Sequence, residues 1–397
     1  MHLDQILLAL FILLTVAGLS IALSRYLGLG SILGLLATGF IVGPSGLAIA
    51  QRVADLRHLG ELGVVLLLFI IGLEMRPEKL WSLRRAVFGL GSLQVVVTGL
   101  AIAAYASLSI ESWEGALILG LGLALSSTAF VVQILEERGA METEYGTTSF
   151  GILLLQDLAI VPLLALVPLL SNQLDTVGGA AFAIRLAKVV AALGGVVIFG
   201  RLVAPWLLDR LERLGNREVF NMVVFIAVIG AALAMELAGL SMALGAFLIG
   251  MLLSGSPYRH QIEGVVLPFK RVMLSLFFIS VGMSIDLGVL VSAGPIIAAH
   301  VLVLLTIKAV LLFGLSCLFG LSRASALRVA LLLPQGGEFG FVLFGAAVTA
   351  GLMTAYGFTC AVLLISMSML ATPLLVRVGD RLDGGRATHQ REPPGPR

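Results

Sequence analysis

Apolar runs of membrane-spanning length, separated by short polar joints, repeat along almost the whole chain. Thirteen such segments are predicted, at about 5–24, 28–44, 60–74, 86–108, 114–135, 147–171, 181–206, 218–238, 240–254, 266–284, 292–319, 325–350 and 355–377. A bilayer core needs roughly 20 apolar residues per helix, so most of these read as transmembrane helices, with the second and ninth short. The first, ILLALFILLTVAGLSIAL (6–23), is longer than a signal-peptide core and runs into Arg25, which predicts an uncleaved span. The tail DGGRATHQREPPGPR (383–397) is polar and rich in Gly and Pro, and is expected to be disordered.

The joints alternate in charge. With the N-terminus outside, Arg25, the group Arg76, Lys79, Arg84 and Arg85, Arg138, the group Arg210, Arg213 and Arg217, then Arg259, Lys270 and Arg271, then Arg323 and Arg328, and the tail all fall inside. The opposite side carries Arg52, Arg57, Arg185 and Lys188. The positive-inside rule predicts N-out and C-in. GSILGLLATGFIVG (30–43) resembles GLSMALGAFLIG (239–250), and LLLFIIGLEM (66–75) resembles SLFFISVGMSID (275–286), at a spacing of about 209–211. Seven spans separate the members of each pair, so the copies are inverted. Six spans, a linker and six inverted spans account for thirteen, an organisation found in secondary transporters.

Composition agrees. Hydrophobic residues make up 59% and charged residues 12% of the 397, with net charge +2, and mean hydropathy is +1.08. That excludes a soluble protein and gives no basic footprint for nucleic acid. Cys317 and Cys360 lie in separate apolar runs and indicate neither disulfide nor metal cluster. No nucleophile–base pattern points to an enzyme, and no cofactor is called for.

Candidate chemistry lies where apolar runs are interrupted. LALSSTAF (123–130) places Ser126, Ser127 and Thr128 in the fifth segment, and LLPQGGEFGF (332–341) places Pro334, Gln335, Gly336 and Gly337 in the twelfth. Ser127 and Gln335 are 208 apart, close to the repeat spacing. Both stretches predict broken helices whose ends expose N–H groups and carbonyls inside the membrane. Asp157 follows in ILLLQDLAIVPLL, one turn before Pro162, with Gln156 about 100° round the helix and flanking it. A carboxylate at that depth is costly and marks a function. Lys308, alone in VLLTIKAVLLF, is the expected counter-ion, unless it snorkels to an interface or serves as a structural pin. Glu338 either caps a half-helix or assists proton binding. Glu74, Glu236 and Asp286 read as interfacial, and His300 as an ordinary helix-end histidine. Carboxylate, hydroxyls and loose carbonyls together suit a dehydrated monovalent cation, K⁺ or Na⁺, at Asp157.

These motifs in order, with REVF, PFKR and QGGEFGFVLFGAA, resemble the membrane part of the Kef-type potassium-efflux antiporters of the monovalent cation:proton antiporter-2 family, over residues 3 to 380. The resemblance implies a homodimer with a dimerisation scaffold (1–82 and 213–290), a linker helix (181–212), and a core (83–172 and 291–380) in which the fifth and twelfth spans cross. It implies Gln156–Asp157 as the ion site, Lys308 as the core lysine, and exchange of K⁺, or Na⁺, for H⁺. The sequence departs twice. Kef-type proteins continue into a nucleotide-binding domain that senses glutathione, so glutathione binding is not expected in this chain, and gating by it would require either that the sequence is truncated or that a separate cytoplasmic regulatory subunit supplies the domain. The loop before PFK is also less acidic than in the family, with Glu263 its sole acid. A cation channel and a sodium-coupled symporter of related fold stay open as alternatives.

Overall fold

The computed structural model describes residues 3–27, 30–47, 53–74, 84–171, 179–213, 215, 217–283, 285 and 287–382. The predicted polar tail, Asp286 and the basic loop holding Arg76 and Lys79 lie outside them. Fifteen helices build the described chain. They are α1 (Leu3–Tyr26), α2 (Gly30–Val42), α3 (Val53–Glu74), α4 (Arg85–Ala106), α5 (Trp113–Ala124), α6 (Thr128–Glu137) and α7 (Glu144–Leu170). Next comes α8, which runs from Gly179–Ile198 through a π-helical stretch Phe199–Val203 into Ala204–Arg213. Then follow α9 (Arg217–Leu237), α10 (Met242–Leu253), α11 (Arg259–Met283), α12 (Leu287–Leu318), α13 (Arg323–Leu332), α14 (Glu338–Thr349) and α15 (Ala355–Leu382).

These fifteen helices make thirteen spans, because α5 with α6 and α13 with α14 are interrupted single crossings. Among the described residues, seven helices are long and apolar enough to cross a bilayer unaided. The two segments predicted to be short are short: α2 has 13 residues and α10 has 12. At 1.5 Å per residue each covers about 20 Å, less than the roughly 30 Å hydrocarbon core. Both are packed between longer helices, so protein covers much of what the bilayer would otherwise meet.

Glycine sets how closely they pack. At Gly39 of α2 an added Cβ would lie 2.0 Å from the Ile279 carbonyl oxygen of α11, and at Gly282 of α11 it would lie 2.2 Å from the Leu36 oxygen of α2. The α3–α10 crossing repeats this. A Cβ at Gly72 would lie 2.3 Å from the Phe247 oxygen, and one at Gly250 would lie 2.2 Å from the Phe69 oxygen. Backbone-to-backbone contact of this kind needs a residue without a side chain. Positions 39 and 250, and 72 and 282, differ by 211 and 210, so the inverted repeat is visible as two reciprocal glycine crossings.

A second group of helices, α4 to α7 and α12 to α15, surrounds the two breaks. It meets the first group along α7 and α10, and where Phe278 of α11 stands edge-on to Phe341 of α14 at 6.1 Å between ring centres. Beside that contact lies a cavity of about 440 Å³, lined by Phe277, Leu164, Val167, Ser241 and Phe341 among others.

Replacing Gly250 by Ala should force α3 and α10 apart and cost about 1–3 kcal/mol or more, read as a lower melting temperature in detergent. Gly314→Ala, whose methyl would meet nothing within 4 Å, should leave the melting temperature unchanged or slightly raised.

Candidate ion site at the helix crossing

The chain breaks at both crossings for local reasons. After Ala124, Leu125 turns extended and Ser127 caps α6, its hydroxyl accepting from the Phe130 N–H at 3.4 Å. In the other break Pro334 cannot continue α13. Gly337 precedes α14 with extended backbone, and the Gly336 N–H donates to the Ser368 hydroxyl at 3.0 Å. The breaks touch directly. A Cβ at Gly337 would lie 2.6 Å from the backbone of Ser126, and the Ser126 hydroxyl donates to the Leu333 oxygen at 2.8 Å.

Four helix ends therefore meet in the interior, two carrying free N–H groups and two carrying free carbonyls, equivalent to about half a charge each. Lys308, fully buried on α12, serves the carbonyl ends. Its Nζ donates to the Leu123 oxygen at 2.9 Å, the Leu125 oxygen at 3.3 Å and the Gln335 oxygen at 2.6 Å, and it lies 3.1 Å from the Ser126 hydroxyl. One ammonium thus joins the C-terminal ends of α5 and α13. The N–H ends are met by acids: Glu338 is the first residue of α14, and Thr128, the first of α6, donates its hydroxyl to Asp157 Oδ1 at 2.7 Å. Both acids are only 8% exposed. Asp157 occupies the midpoint of the 27-residue α7.

The expected direct pairing of Asp157 with Lys308 is absent: among the described residues no ion pair joins them. The physical reason is the carbonyl ends. Three convergent backbone oxygens, of Leu123, Leu125 and Gln335, satisfy the ammonium as an acid would.

Gln156 and Ser126 brace the crossing. Gln156 Oε1 accepts from the Ser126 N–H at 2.7 Å, while its Nε2 donates to Gln94 Oε1 at 2.7 Å and reaches the Ala124 oxygen at 3.4 Å. Gln94 Nε2 donates to that same Ala124 oxygen at 3.1 Å. The amides of Gln94 and Gln156 thus satisfy both a free N–H and a free carbonyl of the break. Of the residues singled out in the sequence, the structure sets Thr128 against Asp157, Ser127 at the α6 cap, and Gln156, Ser126 and Lys308 in the support. Gln335 gives its carbonyl to Lys308, and its side-chain amide is fully buried with no protein hydrogen-bond partner. Such an amide keeps a donor and an acceptor available to water or an ion.

Gln94 and Ser368 did not stand out in the sequence. Gln94 left a signal, a lone amide inside the apolar run LGSLQVVVTGL. Ser368 left none, since LLISMSMLATP resembles any small-residue packing stretch. His300 meets Tyr105 at 5.8 Å between ring centres, away from the crossing. Among the described residues no cluster of His, Cys, Asp and Glu suits a multivalent metal.

Comparison with known proteins places this architecture. The family described as "Sodium/hydrogen exchanger, transmembrane" matches residues 10–377. The glutathione-regulated potassium-efflux system protein KefC of Escherichia coli K12 is 42% identical over 376 residues, covering 95% of this chain and 61% of that protein. KefC of Shigella boydii matches to the same extent. The chain therefore spans less than two thirds of the length of these relatives. Among solved structures, the sodium proton antiporter MjNhaP1 of Methanocaldococcus jannaschii at pH 8 superposes with TM-score 0.68 at 16% identity, covering 96% of this chain and all of the other. An electron-microscopy structure of the same antiporter gives 0.62 at 15% identity. With its glycine-crossed inverted repeats and paired helix breaks, the chain belongs to the sodium/hydrogen exchanger transmembrane family.

Proposed function

We propose that this protein exchanges a monovalent cation, K⁺ first and Na⁺ second, for H⁺ across a bacterial-type inner membrane. The observation that carries this reading is Asp157 itself, a nearly buried carboxylate at the midpoint of a membrane-spanning helix. It faces the N-terminal end of a half-helix and is held by one hydroxyl. Its charge can be met by a proton or by a partly dehydrated cation, and binding of one excludes the other. Thr128 Oγ1, already on Asp157, is positioned to turn its lone pairs to the cation, and the Gln335 amide is a further neutral donor of oxygen. K⁺ is preferred because the 42% identical relatives are potassium-efflux proteins.

Transport follows if the group α4–α7 with α12–α15 moves as a core against a scaffold of α1–α3 and α9–α11, with α8 as linker. The apolar contact of Phe278 with Phe341 would then separate the site from the cavity at the Ser171 and Ser241 end. Asp157 is the acid that changes partner and Lys308 keeps its proton throughout, which makes exchange one-for-one and electroneutral. The arginine-rich helix ends, those of Arg85, Arg138, Arg259 and Arg323, face the cytoplasm, with the N-terminus outside and the C-terminus inside. The protein works as a homodimer, joined through its scaffold. Glutathione regulation, named for the longer relatives, is not assigned to this chain.

Reconstituted into proteoliposomes with an internal pH dye, the wild type should move protons against K⁺ gradients without net current, and Asp157→Asn should abolish coupled exchange. Retention of exchange by that variant, or K⁺ flux without counter-moving protons, would refute the site or the mechanism. Competition for one carboxylate also fixes a slope: half-saturating K⁺ should fall with rising pH by at most about tenfold per unit on the acid side. A steeper dependence would mean more than one proton. Lys308→Gln removes a buried charge from three carbonyl oxygens and should cost about 3–5 kcal/mol of stability, seen as a marked drop in melting temperature even where transport is not measured.

A further inference from the structure

A second basic residue sits inside a span and has no part in the crossing. Lys270 of α11 lies eleven positions after Arg259, about 16 Å along the helix. It stands four residues into the apolar run that the sequence begins at 266, half-buried, where its charge needs acids or water to meet it. Its direction follows from register. Phe277 is seven residues on, two turns later on the same face, and Phe277 lines the cavity between α11, α7 and α14. Phe278 beside it touches Phe341, one turn along α14 from Glu338. Lys270 therefore lies on the face of α11 that carries Phe277, two turns nearer the Arg259 end.

Acids stand opposite. Glu74 ends α3, which packs closely along α11, with the Gly63 position against the backbone of Met273. The charges of Glu74 and Glu338 reach both Lys270 and Asp157. The other charges acting on Lys270 are Arg271 and Glu263 of its own helix. Among the described residues no ion pair or hydrogen bond holds the Lys270 ammonium. It is half-buried, and it shares the field of acids that converge on Asp157.

We propose that Lys270 is a tethered competitor of the transported cation, an ammonium on the scaffold that occupies the negative potential of Glu74 and Glu338, the two acids it shares with Asp157, until an entering K⁺ replaces it. The proposal rests on the reading of Asp157 as the exchange site. Lys270 is carried by the scaffold, while Asp157 and Glu338 are carried by the core. Core movement changes their separation, so the competition acts on cations entering from the arginine-rich side and fades once the site faces the other way. The lysine thereby raises the K⁺ concentration needed on one side only.

The test uses the full chain in proteoliposomes, with K⁺ as the probe added to either side. Lys270→Gln should lower half-saturating K⁺ on the arginine-rich side roughly 4- to 15-fold, the effect of one charge acting over on the order of 10 Å at an effective dielectric of about 20–40. Maximal rate and the value on the opposite side should change less than about twofold. Lys270→Arg should behave as wild type, and Glu74→Gln should shift half-saturation upward on the same side. Unchanged or raised half-saturation in Lys270→Gln, or equal shifts on both sides, would overturn the proposal. If the Gln variant does not fold, Lys270→Met gives the same reading. If no neutral residue at 270 allows folding, Lys270 is a structural pin and the proposal fails. Asp157→Asn in the same assay separates the two readings, because exchange surviving in it removes the Asp157 site whatever Lys270 does.

Discussion

Everything at the centre of this protein depends on one awkward fact: two helices stop halfway across the membrane. Each break leaves N–H groups and carbonyls where no bulk water can satisfy them, and each unsatisfied group costs several kcal/mol in hydrocarbon. The fold answers with opposite charges. Lys308 gathers the carbonyl ends of α5 and α13, and Glu338 and Asp157 stand at the N–H ends of α14 and α6. Neutral amides take up the remainder, Gln94 and Gln156 for Ala124 and Ser126. The buried charges are there because the broken backbone makes them affordable.

That compensation is unequal, and the inequality places the chemistry. Lys308 is held by three carbonyl oxygens and a hydroxyl, leaving it no freedom to visit another partner. Asp157 is held by a single hydroxyl from Thr128. Gln156 next to it has both its oxygen and its nitrogen engaged. Within α7, Asp157 is thus the side chain at the crossing with unused capacity, and unused capacity on a carboxylate is what an exchanged ion requires.

The fold was readable because membrane helices announce themselves by length and composition. All thirteen spans and the inverted arrangement could be drawn from apolar runs and the echo of 30–43 in 239–250. Both breaks were readable too, since Pro334, Gly336 and Gly337 forbid regular helix and Ser126 to Thr128 interrupt an apolar run. What could not be read was partnership. Sequence shows that Asp157 and Lys308 are both charged and both deep, and the simplest inference pairs them. It does not show that three backbone carbonyls would outcompete the carboxylate, because carbonyls are present at every residue and gain significance only where a helix ends. Gln94 escaped for a similar reason, as its role exists only once Ala124 is the last residue of α5.

The two reciprocal glycine crossings bear on motion as well as on stability. Where Gly39 meets Ile279 and Gly250 meets Phe69, backbones touch with no side chain between them, so these helices cannot shift without losing contact along both. The contact between the two helix groups is of another kind. It runs through Phe278 and Phe341 rings and past a cavity of about 440 Å³, and rings beside a cavity can repack where interlocked backbones cannot. Glycine-locked crossings on one side and a loosely packed seam on the other place the give of the molecule along α7, the helix that carries Asp157 and lines the cavity with Leu164 and Val167. Asp157 belongs to the helix group on the other side of that seam, outside both glycine crossings, so the proposed exchange asks for movement where packing is loosest.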